Sequence, residues 1–203
     1  MRAWTAEEVR RLLAHVEGDR LAPIWRLFVA TGMRRGEVAG LRWSDVDLDA
    51  ARLSVRSTRV LVYAEVRSLE PKTRRSRRVV ALDAGAVTAL RRHARHQAVE
   101  RGRLSGLWED TGYVFVREDG RPLDPDRISH LFGVHDLRHT AATLALAGGV
   151  HPKVVSERLG HSSIAITLDT YSHVLPSMQE EAAAKLGVIL DGDASMVEQR
   201  STG

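Results

Sequence analysis

The chain has 203 residues, 43% of them hydrophobic, a formal net charge of +4 and a pI near 9.9. That length makes one generous domain with a sizeable core. The lack of cysteine excludes disulfides and thiolate metal sites, and no apolar run is long enough for a membrane-spanning helix. The N-terminal MRAWTAEEVRR reaches charge at once, so no signal peptide is expected, and a reducing cytoplasm fits the composition.

In chain order, Thr5-Ala-Glu-Glu8 reads as a capping box, with Val9, Leu12, Leu13 and Val16 behind it at helical spacing. A second helix is predicted from Pro23 to Thr31, stopped by Gly32, and a short third one over 36–41. Three strands are predicted over 52–56, 58–66 and 77–82, from the alternation of Leu53/Val55 and Val60/Val62. The basic stretch 68–76 would be the hairpin tip between the last two. Asp83 opens a long helix to about Arg101, and 113–116 reads as a short strand. Helices follow at Asp124 to about Phe132, 135–147, 152–159, 163–171 and 176–190, with glycines at 148–149 and 160 as stops. The expected fold class is α+β: mostly α-helical, with a small three-stranded antiparallel sheet or β-hairpin. Residues 1–190 would form one domain, and 191–203 a polar, disordered tail. There is no internal repeat and no Gly-rich nucleotide-binding pattern.

The distribution of basic residues says more than their total. Arg67, Lys72, Arg74, Arg75, Arg77 and Arg78 crowd into one short stretch, and a second group runs from Arg91 to Arg103. With only three lysines (72, 153 and 185) against 27 arginines, Lys72 stands out inside the most Arg-rich segment. Lysine can give up a proton where arginine effectively cannot, so a lysine kept among arginines suits a proton donor. His135 and Arg138 are three apart in a predicted helix and share a face. A guanidinium there could fork onto two phosphate oxygens beside an imidazole able to move a proton, although two solvated side chains would look the same. Arg34 projects from a glycine-bounded corner between helices, where Arg34 or Arg35 could instead pair with Glu37. His161 follows the helix-stopping Gly160. Tyr171 lies in a polar stretch, where a lone tyrosine is usually a packed ring.

Five motifs in order carry a resemblance: Thr31-Gly-Met-Arg-Arg-Gly-Glu37, a basic hairpin with Lys72, His135-Asp-Leu-Arg-His139-Thr, Leu159-Gly-His161-Ser-Ser, and Thr170-Tyr171-Ser-His173. Together, from about Trp4 to Leu190, they resemble the catalytic domain of tyrosine recombinases (phage integrases). The resemblance implies that Tyr171 is a nucleophile that cleaves duplex DNA through a 3′-phosphotyrosine. It implies that Arg34 and Arg138 clamp the phosphate, that His135 assists proton transfer, and that His161 supports the transition state. Lys72 would protonate the leaving 5′-oxygen, and Glu37 would brace Arg34. Arg74, Arg75, Arg77 and Arg78 are expected on the DNA backbone, giving affinity and salt dependence without sequence choice. No metal and no cofactor are expected, since guanidinium groups supply the positive charge and the covalent ester makes ATP unnecessary. His139, His151 and His173 are expected to pack or hydrogen-bond without a catalytic role.

The resemblance further implies bacterial or phage origin, action at the nucleoid, and a homo-tetramer on DNA joined through the helix at 176–190. Two features depart from the family. A DNA-gripping N-terminal domain is expected to be absent. The link between Asp124 and His135 is short, with only Gly133 and Val134 between Phe132 and His135, so a missing segment and a break in the chain are expected there. Alternatives are a decayed recombinase that only binds DNA, or a DNA-relaxing topoisomerase of the same chemistry.

Overall fold

The computed structural model describes residues 3–62, 65–69, 77–131, 134–172 and 186–187; for residues 62, 65, 130, 131, 134 and 135 it describes the backbone alone. The predicted capping box opens α1 (Ala6–His15): the Thr5 hydroxyl accepts from the Glu8 amide at 3.2 Å, and the Glu8 carboxylate accepts from the Thr5 amide at 2.8 Å. Helix α2 (Ala22–Thr31) ends on Gly32, whose φ of 63° lets its amide bond back to the Phe28 carbonyl at 2.8 Å. A Cβ at Gly32 would stand 2.5 Å from Leu159, so both conformation and space demand glycine there. Helix α3 (Arg35–Ala39) follows at once.

Strands β1 (Val46–Asp47), β2 (Arg52–Val55) and β5 (Arg78–Ala81) make a three-stranded antiparallel sheet in the order β1-β2-β5. Strands β3 (Thr58–Val62) and β4 (Glu65–Leu69) form a separate hairpin, with Val62 paired to Glu65. The single strand expected over 58–66 is therefore two. Tyr63-Ala64 carries no Gly, Asn or Asp, so the sequence holds no turn signal at that place. The expected strand at 113–116 is likewise corrected. Only isolated bridges form there, Arg42 with Tyr113 and Val116 with Pro122, because the segment meets loop backbone rather than a strand.

Helix α4 (Ala84–Arg103) is capped by the Asp83 carboxylate, which accepts from the Ala86 amide at 2.8 Å. Then come α5 (Pro125–Leu131), α6 (Val134–Ala147), α7 (Pro152–Leu159) and α8 (Ile164–Tyr171). The buried α2 is the hub of the domain. Its Ile24, Trp25, Leu27 and Phe28 lie in the core with Leu53, Leu90, Phe115, Ile128 and Leu137. A smaller cluster of Ala142, Leu146, Val155, Leu159 and Tyr171 ties α6, α7 and α8 together. The expected terminal helix lies outside the described residues apart from 186–187, which are helical.

Candidate active site

Glu37 organises the site from α3. Its carboxylate is 5% exposed and accepts four N–H bonds. One comes from the Arg34 amide at 2.8 Å and one from the Arg34 guanidinium at 3.0 Å. The other two are a fork from Arg78 on β5, both at 2.8 Å. Burial pushes the carboxyl up, but Arg78 and Arg34 outweigh it and hold it below its ordinary 4.5, so it is ionised at neutral pH. Arg35 points elsewhere, to Ser129 at 2.6 Å and Asp126 at 2.8 Å on α5, which settles that Arg34 is the partner of Glu37.

The end of α7 supplies the second half of the frame. Gly160, at φ 67°, closes the helix: its amide bonds to the Glu157 carbonyl, and the next amide, of His161, reaches back to Ser156 at 3.0 Å. That reversal places His161. It also leaves three successive carbonyls, of Arg158, Leu159 and Gly160, without helical partners. Each accepts from a different guanidinium: Arg78 Nε at 2.7 Å, Arg138 at 2.8 Å and Arg34 at 3.0 Å. The negative end of a helix dipole thus holds three cations side by side. Arg138, from α6, also donates to the Gly32 carbonyl at the end of α2.

The cluster sets three guanidiniums against one carboxylate, so a positive hole remains. Burial and the neighbouring Arg34 push Arg138 down to about 10, which still leaves it charged at neutral pH. Burial and the cations Arg138, Arg34 and Arg78 push His161 down to about 4, so its ring is neutral. Its Nδ1 is hydrogen-bonded at 2.8 Å to the hydroxyl of the fully buried Thr167 on α8. Tyr171, at the end of α8, is 2% exposed, and its hydroxyl lies 3.0 Å from His139 Nδ1. The two rings are 5.6 Å apart between centroids. Burial raises the phenol above its ordinary 10, with Arg138 acting in the opposite sense.

The phage integrase family model matches residues 2–178. The chain belongs to the phage integrase family. A tyrosine recombinase XerC-like protein of Caldanaerobacter subterraneus is 32% identical over 89% of this chain and 52% of its own length. An integrase of Streptomyces ambofaciens is 29% identical over 95% and 55%. The chain therefore spans about half the length of the curated relatives it matches. Among solved structures, XerA recombinase superposes with a TM-score of 0.71 at 25% identity, covering 91% of this chain and 65% of that one. The Tn1549 transposon integrase, solved with circular intermediate DNA, shares the fold at a TM-score of 0.74 and 20% identity, covering 91% and 67%.

In this member of the phage integrase family, Arg34, Glu37, Arg138, His161 and Tyr171 come together around the ends of α2 and α7. Lys72, Arg74 and Arg75 lie outside the described residues, as do the side chain of His135 and the Phe132–Gly133 join. Arg77 is exposed and lines an open groove with Lys153, Gly160 and His161. Arg78 needs a correction. Its side chain is only 7% exposed, and Nε and both terminal nitrogens donate to Glu37 and the Arg158 carbonyl, so it is a buried brace rather than a surface DNA contact. In the second basic group, Arg91 pairs with Asp49, Arg92 with Glu17 and Arg101 with Asp110. Sequence reasoning missed the part of Arg78, because nothing local separates it from its basic neighbours. It also missed the contact of His139 with Tyr171, though the His-x-x-Arg-His spacing put that histidine beside Arg138.

The His161 ring should titrate near pH 4 in the free protein, followed by the NMR shift of its ring protons. A midpoint at the ordinary 6.5 would contradict the cationic field described above. Because the folded value is the lower one, the stability contributed by the neutral ring is complete above about 6.5. It is lost as the pH falls from there through about 4.

Proposed function

We propose that this chain is the catalytic part of a site-specific DNA recombinase that cuts and rejoins duplex DNA through a 3′-phosphotyrosine at Tyr171. The observation that carries the reading is the convergence of Arg34 and Arg138 on the carbonyls that end α7, beside His161 and a buried Tyr171. Phosphoryl transfer needs positioning and charge stabilisation above all. Each of the two arginines gives two of its five N–H donors to protein acceptors in this frame, and the rest can meet a phosphodiester.

In the proposed reaction, the Tyr171 oxygen attacks the scissile phosphorus and the bond to the 5′-oxygen breaks. Arg34 and Arg138 bind the non-bridging oxygens, where charge builds up in the transition state. Neutral His161 donates a hydrogen bond to the same group, and its Nδ1 contact with Thr167 fixes the ring. Lys72 protonates the leaving 5′-oxygen, and His135 assists proton transfer. The released 5′-hydroxyl later attacks the phosphotyrosine, so rejoining draws on the energy kept in the ester. Arg74, Arg75, Arg77 and Lys153 would line the path of the DNA backbone. Residues 1–190 would act as one catalytic domain, with the helix at 176–190 joining protomers into a tetramer on DNA. Cytoplasmic action at the nucleoid of a bacterial host follows from the same reading.

The test is a duplex that carries a nick next to the cleavage site, so that the short 5′-fragment diffuses away and cleavage becomes irreversible. Attachment-site sequences come from the DNA flanking the gene. A covalent protein–DNA complex whose peptide map places the nucleotide on Tyr171 supports the proposal. Binding without any adduct would replace it with a DNA-binding module. Relaxation of supercoiled plasmid without site preference would replace it with a topoisomerase.

A further inference from the structure

We infer that His139 is a further catalytic residue, the group that takes the Tyr171 proton as the tyrosine attacks and returns it on rejoining. The inference rests on the recombinase reading and names, beside the assistance that reading gives to His135, the group in direct contact with the nucleophile's proton. Tyr171 is buried, and burial favours its neutral form. A neutral phenol is a poor nucleophile, so an acceptor within hydrogen-bond reach is needed. His139 Nδ1 stands 3.0 Å from the hydroxyl oxygen.

Among the described side chains, His161 and Glu37 are less well placed. His161 turns its Nδ1 to Thr167 and sits in the field of Arg138, Arg34 and Arg78, which opposes its taking a proton. Glu37 has all of its acceptor capacity directed to Arg34 and Arg78. Arg138 and His139 are consecutive on α6, and successive helical residues point about 100° apart. One turn of helix therefore directs a phosphate ligand to the end of α7 and a proton acceptor to the end of α8.

The step balances. The Tyr171 O–H bond breaks, its proton goes to His139 Nδ1, and the oxygen forms a bond to phosphorus as the 5′-oxygen leaves with a proton from its own donor. In rejoining, the 5′-hydroxyl attacks, the tyrosine oxygen leaves, and the imidazolium of His139 gives its proton back. His139 would thus act as base in one direction and acid in the other.

The experiment compares wild type, His139→Gln and His139→Ala in single-turnover cleavage of the nicked duplex across pH 5 to 9. Glutamine keeps a polar group in reach of Tyr171 but takes no proton. His139→Gln is expected to slow adduct formation about 100-fold or more, the lower end of a general base's contribution. It should also remove the histidine limb of the pH–rate profile, and added imidazole should restore part of the His139→Ala rate. Cleavage by His139→Gln within about threefold of wild type, with the limb intact, overturns the inference while the recombinase reading stands. No adduct from wild type, under conditions where it binds the duplex, withdraws both. If the variants fail to fold, ring-nitrogen NMR of His139 carries the test in wild type and Tyr171→Phe. A His139 titration that moves when the phenol hydroxyl is removed supports the pair, and one that does not overturns it.

Discussion

Tyr171→Phe is expected to give no covalent protein–DNA adduct, with duplex binding within a few-fold of wild type. The loss should be complete because the substitution removes the reacting atom rather than an assisting group. Another tyrosine cannot step in through Tyr113. Its hydroxyl is hydrogen-bonded to Arg42 and Ser68 at 3.0 Å each, and its ring lies 4.2 Å and 5.2 Å from the Arg42 and Arg59 guanidiniums, a separate cluster. The neighbouring Ser172 directs its hydroxyl back to the Asp169 carbonyl. The ring itself is retained, so packing against Leu146, Val155 and Leu159 should survive. The structural cost is one hydrogen bond, on the order of 1 kcal/mol. A denaturing gel of end-labelled nicked duplex reads the adduct, and a thermal melt reads the fold. A persistent adduct in the variant would remove Tyr171 from the nucleophile's place.

Glu37→Gln should be the most damaging change to stability in the site. The carboxylate is the counter-charge of a nearly buried Arg78, and the amide that replaces it carries no charge. Removing one partner of a buried pair typically costs ~3–5 kcal/mol, because the other charge is left uncompensated. A domain of this size has only ~5–15 kcal/mol of stability, so the variant should unfold at distinctly lower urea. It should also cleave poorly, since the amide nitrogen that replaces one carboxylate oxygen can no longer accept from Arg34 or Arg78. The pH dependence has a definite sign. The folded Glu37 lies below its ordinary 4.5, so its contribution is complete above about 4.5 and is lost as the pH falls through the folded value. Wild type should therefore lose stability in acid, and Glu37→Gln should lack the part of that loss below about pH 4.5. Urea midpoints at pH 7 and pH 4 decide it, and a variant as stable as wild type at pH 7 would show that the pair contributes nothing.

Much of this was readable from local sequence. Thr5, Asp83, Gly32 and Gly160 act through their own few neighbours, so their capping and stopping roles follow from position alone. The motif residues could be named because their types suit phosphate chemistry and fall in a familiar order. What escaped was decided by partners distant in the chain. Arg78 looks like any member of a basic run until β5 pairs with β2 and brings it to Glu37, 41 residues away. His139 is 32 residues from Tyr171, and no periodicity on α6 states which side chain of α8 it will meet. The split of the expected strand over 58–66 was hidden for a different reason: the hydrophobic alternation runs up to a reversal that no turn-forming residue marks.

The three guanidiniums at the end of α7 are held there by main-chain oxygens, and this bears on how the site can vary. Replacing Arg158 or Leu159 alters a side chain but leaves its carbonyl in place, so an alanine scan would pass over half of the clamp's wiring. The acceptors do not depend on the identity of those side chains, although Leu159 is itself core and Arg158 donates to the Ala30 carbonyl at 2.7 Å. The vulnerable positions are instead the two side-chain-free residues that set the direction of the carbonyls, Gly32 and Gly160. They carry no reactive group, yet they set the carbonyls that, together with the Glu37 carboxylate, aim the arginines of the site.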